Sequence, residues 1–132
     1  MKKLIVGLVL SLCSFSTFSA DFKMHDSYTG NTIVVKQELL CDFYEGYAHA
    51  VMLDRIEGRT LKAAYKGLES SYFTSNKSIY SGAQIIIKTA YKTPYLAYDD
   101  ETKQFAAQEF ANEVYAMCKE SYEEVYGDKF KQ

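Results

Sequence analysis

Two cysteines, Cys41 and Cys118, lie downstream of a segment that reads as an export signal, and no other cysteine follows that segment. This arrangement constrains the fold more than anything else in the chain. A thiol pair carried into an oxidising compartment can become a permanent staple. The pair therefore bears on the compartment and on which parts of the chain end up adjacent.

The export reading rests on the first twenty residues. Lys2 and Lys3 give the positive start, Leu4 to Leu10 the apolar run, and Ser14, Ser16, Thr17, Ser19 and Ala20 the accumulation of small residues. That order fits a secretory signal peptide, and the apolar run is too short to span a bilayer comfortably. Cleavage after Ala20 places bulky Phe18 at the third position back, whereas cleavage after Ser19 places Thr17 there; both remain open. Cys13 raises the alternative of a lipid-anchored first residue, but Leu12 stands where such a signal carries a small residue. The expectation is a periplasmic or secreted chain with a signal at 1–20 and a single domain at 21–132. No second apolar stretch approaches the length of a membrane span, so no membrane span is expected in the mature chain.

Loss of Lys2 and Lys3 lowers the bases from 15 to 13 against 17 acids, a formal charge of −4. Phosphate neutralisation needs a basic face, so this charge argues against nucleic acid, and none is expected as a partner. The charge is uneven. Between Asp99 and Glu124 eight acids face only Lys103 and Lys119, which reads either as a partner surface or as a solvated outer helix face. Twelve tyrosines and no tryptophan suit the boundary of a thin helical core, and also a binding surface.

Helical spacing dominates beyond residue 36. Residues 21–31 carry no periodic pattern and read as a flexible lead-in, with a turn at Thr29-Gly30-Asn31-Thr32. Ile33-Val34-Val35 is β-branched, but the helical repeat that follows favours a helical start. The first helix is expected over 36–57, with Leu40, Phe43/Tyr44, Tyr47/Ala48, Ala50/Val51 and Ile56 inward, a close helix contact at Gly46 and a C-terminal cap at Gly58. Thr60 caps a second helix to about Phe73, with Leu61, Ala64/Tyr65 and Leu68 inward. A polar break at 74–78 precedes a third helix over 79–92. Ile85-Ile86-Ile87 within it has no convincing strand partner. Pro94 stops that helix. Asp99, Asp100 and Glu101 open a fourth, whose inner face is Ala107, Phe110/Ala111, Val114, Met117/Cys118, Tyr122 and Val125, and which Gly127 closes. The fold class expected is all-α: a compact four-helix bundle stapled by Cys41–Cys118. That bond joins the first helix to the last, and a loop of that length is worth about 4 kcal/mol in the chain-entropy model. Free buried thiols or an intermolecular link are the alternatives.

Cys41, Glu45 and His49 share one side of the first helix and are all metal-ligand types, but a disulfide removes the thiolate and leaves too few ligands. His49 lacks an evident nucleophile partner, since no serine lies in a Gly-x-Ser-x-Gly elbow. The pairs Glu109/Glu113 and Glu120/Glu124 are what polar helix faces routinely carry, although a hydrolase needs such carboxylates in a cleft. Phosphate loops and dinucleotide fingerprints are absent. No catalytic residue, metal or cofactor is assigned. The densest aromatic cluster, Tyr91, Tyr95 and Tyr98 around Pro94, is the candidate partner surface; the competing role is to cover one end of the core.

Ala90-Tyr91-Lys92-x-Pro94, followed by an acidic stretch and then Gln108-Glu109-Phe110-Ala111-Asn112-Glu113-x-Tyr115-x-x-Cys118, resembles a group of small exported, functionally uncharacterised helical proteins of proteobacteria and their phages. Those proteins pair a Cys early in the first helix with one near the end of the last, the positions of Cys41 and Cys118. The resemblance implies the helical fold and the disulfide, and no activity. Thr93 and Tyr95 depart from the group's pattern around the proline, where a basic residue often follows. The function class expected is a non-enzymatic binding or inhibitor protein of the immunity type, its partner another envelope or incoming protein. An acid-activated envelope chaperone is the alternative, and a small hydrolase the third reading.

Overall fold

The computed structural model describes residues 21–130, with side chains through Ser121. The expected signal peptide, Cys13 and both cleavage positions lie outside the described residues, as do the side chains of Tyr122, Glu124 and Val125.

The chain begins with a β-hairpin, which corrects two expectations. The supposed lead-in contains strand β1 (Asp21–His25), and the supposed helical start is strand β2 (Thr32–Lys36). They pair antiparallel, Phe22 opposite Val35 and Met24 opposite Ile33. Phe22, Met24 and Val35 are buried and share one face, as a period of two requires. β-Branched Ile33-Val34-Val35 suits such a half-buried strand. The reversal is built locally. The Asp26 carboxylate accepts from the Tyr28 N–H (2.9 Å), the Asp26 N–H donates to the Asn31 carbonyl (2.8 Å), and Gly30 takes φ +77°. The Tyr28 N–H above all, with a longer bond from Thr29 N–H (3.4 Å), favours the ionised Asp26 carboxyl and holds its pKa below the usual value.

After a 3-10 turn (Gln37–Leu39), helix α1 (Leu40–Ile56) buries Leu40, Cys41, Tyr44, Ala48, Val51 and Met52, a repeat of three and four. Its end is a Schellman motif. Gly58, at φ +105°, donates to the Arg55 carbonyl (3.0 Å), and Arg59 N–H donates to that of Asp54 (2.9 Å).

Helix α2 (Leu61–Glu69) is capped by Thr60, whose hydroxyl accepts from Ala63 N–H (3.1 Å). It is shorter than expected. Ser71 donates to the Leu68 carbonyl (2.6 Å) and accepts from Phe73 N–H (3.2 Å), diverting the chain into a 3-10 turn (Tyr72–Ser75). Ala64 and Leu68 are buried, whereas Leu61, in the first turn, points to solvent rather than inward. The turn delivers Phe73 to the core, with its ring 5.5 Å from Phe43 and 5.1 Å from Tyr47. It also holds β1: His25 N–H donates to Ser75 Oγ (2.7 Å), and Asn76 Nδ2 donates to the Lys23 carbonyl (3.1 Å).

Asn76 simultaneously caps helix α3 (Lys77–Ala90), accepting from Ser78 and Ile79 N–H. Ile79, Gly82, Ala83, Ile86, Ile87 and Ala90 are buried, so Ile85-Ile86-Ile87 is helical. Asp99 then opens helix α4 (Asp100–Phe130), its carboxylate accepting from Thr102 N–H (2.8 Å) and hydroxyl (2.7 Å), which holds the Asp99 pKa below the usual range. α4 continues past Gly127, its expected end. Ala107, Phe110, Ala111, Val114 and Cys118 form its buried stripe, with Met117 half-buried.

The four helices pack together around α1, which contacts α4 most extensively and α3 next. The result is a largely all-α bundle with a small two-stranded sheet. Cys41 and Cys118 are disulfide-bonded across the α1–α4 seam, 5.7 Å apart at Cα and 77 residues apart in sequence, and both are buried. The close contact expected at Gly46 is elsewhere. Nothing lies within 4 Å of a Cβ placed on Gly46, whereas one on Gly82 would stand 2.6 Å from Tyr44 Cζ. Gly46 faces solvent; Gly82 faces the ring that needs the room.

Candidate functional site

The α3–α4 connection is irregular because Pro94 cannot continue α3, yet several bonds fix its course. The Arg55 guanidinium, projecting from the last turn of α1, donates to the carbonyls of Ala90 and Thr93 at the C-terminal end of α3. It lies 4.9 Å from the Tyr95 ring centroid and 5.7 Å from that of Tyr91. Its positive charge meets the carbonyl pole of a neighbouring helix rather than that of its own. At the far end of the connection, Thr102 Oγ1 accepts from the N–H groups of Tyr98 and Asp99, both at 3.0 Å.

The four expected surface residues divide. Tyr91 is half-buried and donates its hydroxyl to the Arg59 carbonyl (2.6 Å), bracing the α1–α2 turn. Pro94 and Tyr95 are exposed, and Tyr98 is 82% exposed. These three line a groove of about 650 Å³ between the connection and the first turns of α4. Phe105 (69% exposed) and Leu96 (86%) add apolar surface, and buried Met52 and Phe110 contribute to the lining. Glu109 and Glu113, one helical turn apart, complete one wall. Among the described residues neither carboxylate has a salt bridge.

Arg55, Leu96, Phe105 and Met52 were not singled out from the sequence. Phe105 carried a signal: it falls off the Ala107–Phe110–Ala111 stripe, and a large apolar residue outside the buried stripe marks exposed apolar surface. Arg55 carried none, since a cation in a last helical turn has an ordinary role in its own helix.

A second, smaller cavity of about 220 Å³ lies between α1, α2 and the Tyr72–Ser75 turn. Arg59 lies across it, paired with Asp54 (3.0 Å) and lying over Gly67, where a side chain would collide with the guanidinium. Tyr47 borders it, its phenol pushed up to about 12 by burial.

The remaining candidates do not converge. The Cys41 sulfur is committed to the disulfide, so the Cys41–Glu45–His49 face has no thiolate to offer. Among the described residues no three His, Cys, Asp or Glu side chains are grouped to hold a metal ion, and no helix is long and apolar enough to cross a membrane. His25 ends β1, far in sequence from His49 on α1.

Comparison of the chain with protein-family models, curated proteins and solved structures finds no match.

Proposed function

We propose that this chain is a non-enzymatic binding or inhibitor protein of the immunity type, acting in the periplasm or as a secreted protein, and that it engages its partner through the α3–α4 groove. One observation carries the reading: large apolar side chains stand exposed on, and in α4 beside, a connection that the protein holds in place. Leu96, Tyr98 and Phe105 form one exposed apolar surface at the groove, and such surface marks interaction sites. The bonds from Arg55 and Thr102 reduce what the connection loses in freedom on binding, and Tyr presents a large contact area with few rotatable bonds.

The experiment is a pull-down from envelope extract with the oxidised protein as bait, repeated with Tyr98→Ala and Phe105→Ala together. A specific partner retained by the parent and lost by the double variant supports the reading; equal retention removes the groove from it.

The acid-activated chaperone is the weaker alternative. Among the described residues the carboxyls whose pKa is lowered by the fold are Asp26, half-buried at the hairpin turn, and Asp99, exposed at the start of α4. Their contribution is present above the ordinary carboxyl pKa and lost as pH falls through the lower folded value. Among the described residues the carboxyls that acid disturbs in this way therefore sit at a hairpin turn and a helix start. A near-UV circular dichroism spectrum unchanged at about pH 3, without binding of a hydrophobic dye, ends the chaperone reading.

A further inference from the structure

We infer that the partner segment seated in the α3–α4 groove presents a cationic side chain, Lys or Arg, beside an apolar one. The inference rests on the binding reading above and specifies the chemistry of its partner. The groove lining contains two carboxylates, Glu109 and Glu113, and no Lys or Arg. Neither has a salt bridge among the described residues, so both are available to an incoming cation. Standing one turn apart, they can share a single guanidinium or ammonium.

The α4 side of the groove has the same sign, while the Arg55 cation lies on the opposite side, against Tyr95 and the Thr93 carbonyl. From Asp99 to Glu113 the chain carries five acids against Lys103 alone, and such a face speeds encounter with a basic segment and rejects acidic ones. The rest of the groove is apolar. The exposed rings of Tyr98 and Phe105 offer faces both to a cation and to an aliphatic or aromatic neighbour. A lone inorganic cation would leave that apolar surface uncovered. A chain segment with adjacent basic and apolar side chains covers both parts at once. The Tyr95 ring is already turned towards Arg55, so the cation site is assigned to the carboxylate wall.

The test uses nuclear magnetic resonance of the isotope-labelled, oxidised protein titrated with three probes. These are acetyl-Phe-Arg-Leu-amide, its counterpart acetyl-Phe-Glu-Leu-amide, and acetyl-arginine-amide. The arginine peptide is expected to shift the resonances of Tyr98, Phe105, Glu109 and Glu113, and to bind about tenfold more weakly to the Glu109→Gln/Glu113→Gln variant, the loss expected for one charge-assisted contact. Equal binding of the arginine and glutamate peptides overturns the inference, as does the absence of shifts in the groove. Binding of acetyl-arginine-amide as tight as that of the peptide also overturns it, by showing a small-cation site. A partner whose capture needs Tyr98 and Phe105 but not Glu109 and Glu113 refutes this inference while leaving the binding reading standing.

Discussion

The phenol of Tyr44, on α1, occupies the space that Gly82, on α3, leaves by having no side chain. Tyr44 is fully buried and directs its hydroxyl at the Ser78 carbonyl, 3.4 Å away. The α1–α3 approach thus depends on one residue having no Cβ, while the other helical glycine nearby, Gly46, has open space around it.

Gly82→Ala is therefore expected to destabilise the protein by about 1–3 kcal/mol, since a buried ring wedged between helices cannot swing aside without overpacking its neighbours. Gly46→Ala is expected to act in the opposite direction, stabilising by roughly 0.5–1 kcal/mol through helix propensity alone. Urea unfolding of the two variants beside the parent measures both. Similar effects in the two variants would show that the α1–α3 contact lies elsewhere.

Burial of the two phenols predicts loss of stability at alkaline pH. Desolvation raises the pKa of Tyr44 far above the ordinary value and that of Tyr47 to about 12. Both rings are neutral in folded and unfolded chains below about pH 10, so their contribution is fully present there. Above it the unfolded chain ionises first, and stability falls as pH rises towards the folded-state values, by up to about 1.4 kcal/mol per pH unit for Tyr44. The midpoint of urea unfolding, followed from pH 9 upward, is expected to fall less steeply in Tyr44→Phe. A slope equal to that of the parent would place this phenol in contact with water.

Reduction of Cys41–Cys118 is expected to lower stability by about 4 kcal/mol, the chain-entropy value for a loop of 77 residues. Because the bond joins the two helices with the largest mutual interface, a cysteine-to-serine pair should show the same loss without reductant. Thermal melts with and without reductant decide it. An unchanged midpoint would mean that the α1–α4 seam holds without its staple.

The helical part of this fold was legible because its signals repeat. Ala107, Phe110, Ala111, Val114 and Cys118 state one face several times over, and Thr60, Gly58 and Asp99 sit where local chemistry alone ends or starts a helix. The hairpin was not legible. β1 offers only Phe22 and Met24 as inward residues, too few to establish a period of two, and its position is fixed by Ser75 and Asn76, some fifty residues away. The glycines were legible as helical glycines, but which one a neighbour fills is a property of two helices together. At the site, the tyrosines around Pro94 could be found by density. The groove itself could not, because Met52, Phe105 and Glu113 meet only after α1 and α4 have packed.

Arg55 is the residue through which packing becomes a surface. Arg55→Met is expected to keep much of the aliphatic stem against its neighbours while removing the bonds to the Ala90 and Thr93 carbonyls and the cation beneath Tyr95. Hydrogen bonds from a charged donor are worth roughly 1.5–3 kcal/mol, so a stability loss of that order should appear in urea unfolding. Arg55→Lys should recover only part of it: an ammonium can donate to both carbonyls, which one guanidinium nitrogen now bonds, but it lacks the planar face that lies against the Tyr95 ring. The reading specific to the site is local. Backbone order parameters of residues 93–98, measured by nuclear spin relaxation, should fall in Arg55→Met while those of α4 stay unchanged. If the connection keeps its order without the guanidinium, its shape is set by Pro94 and Thr102 alone, and Arg55 serves only the end of α3.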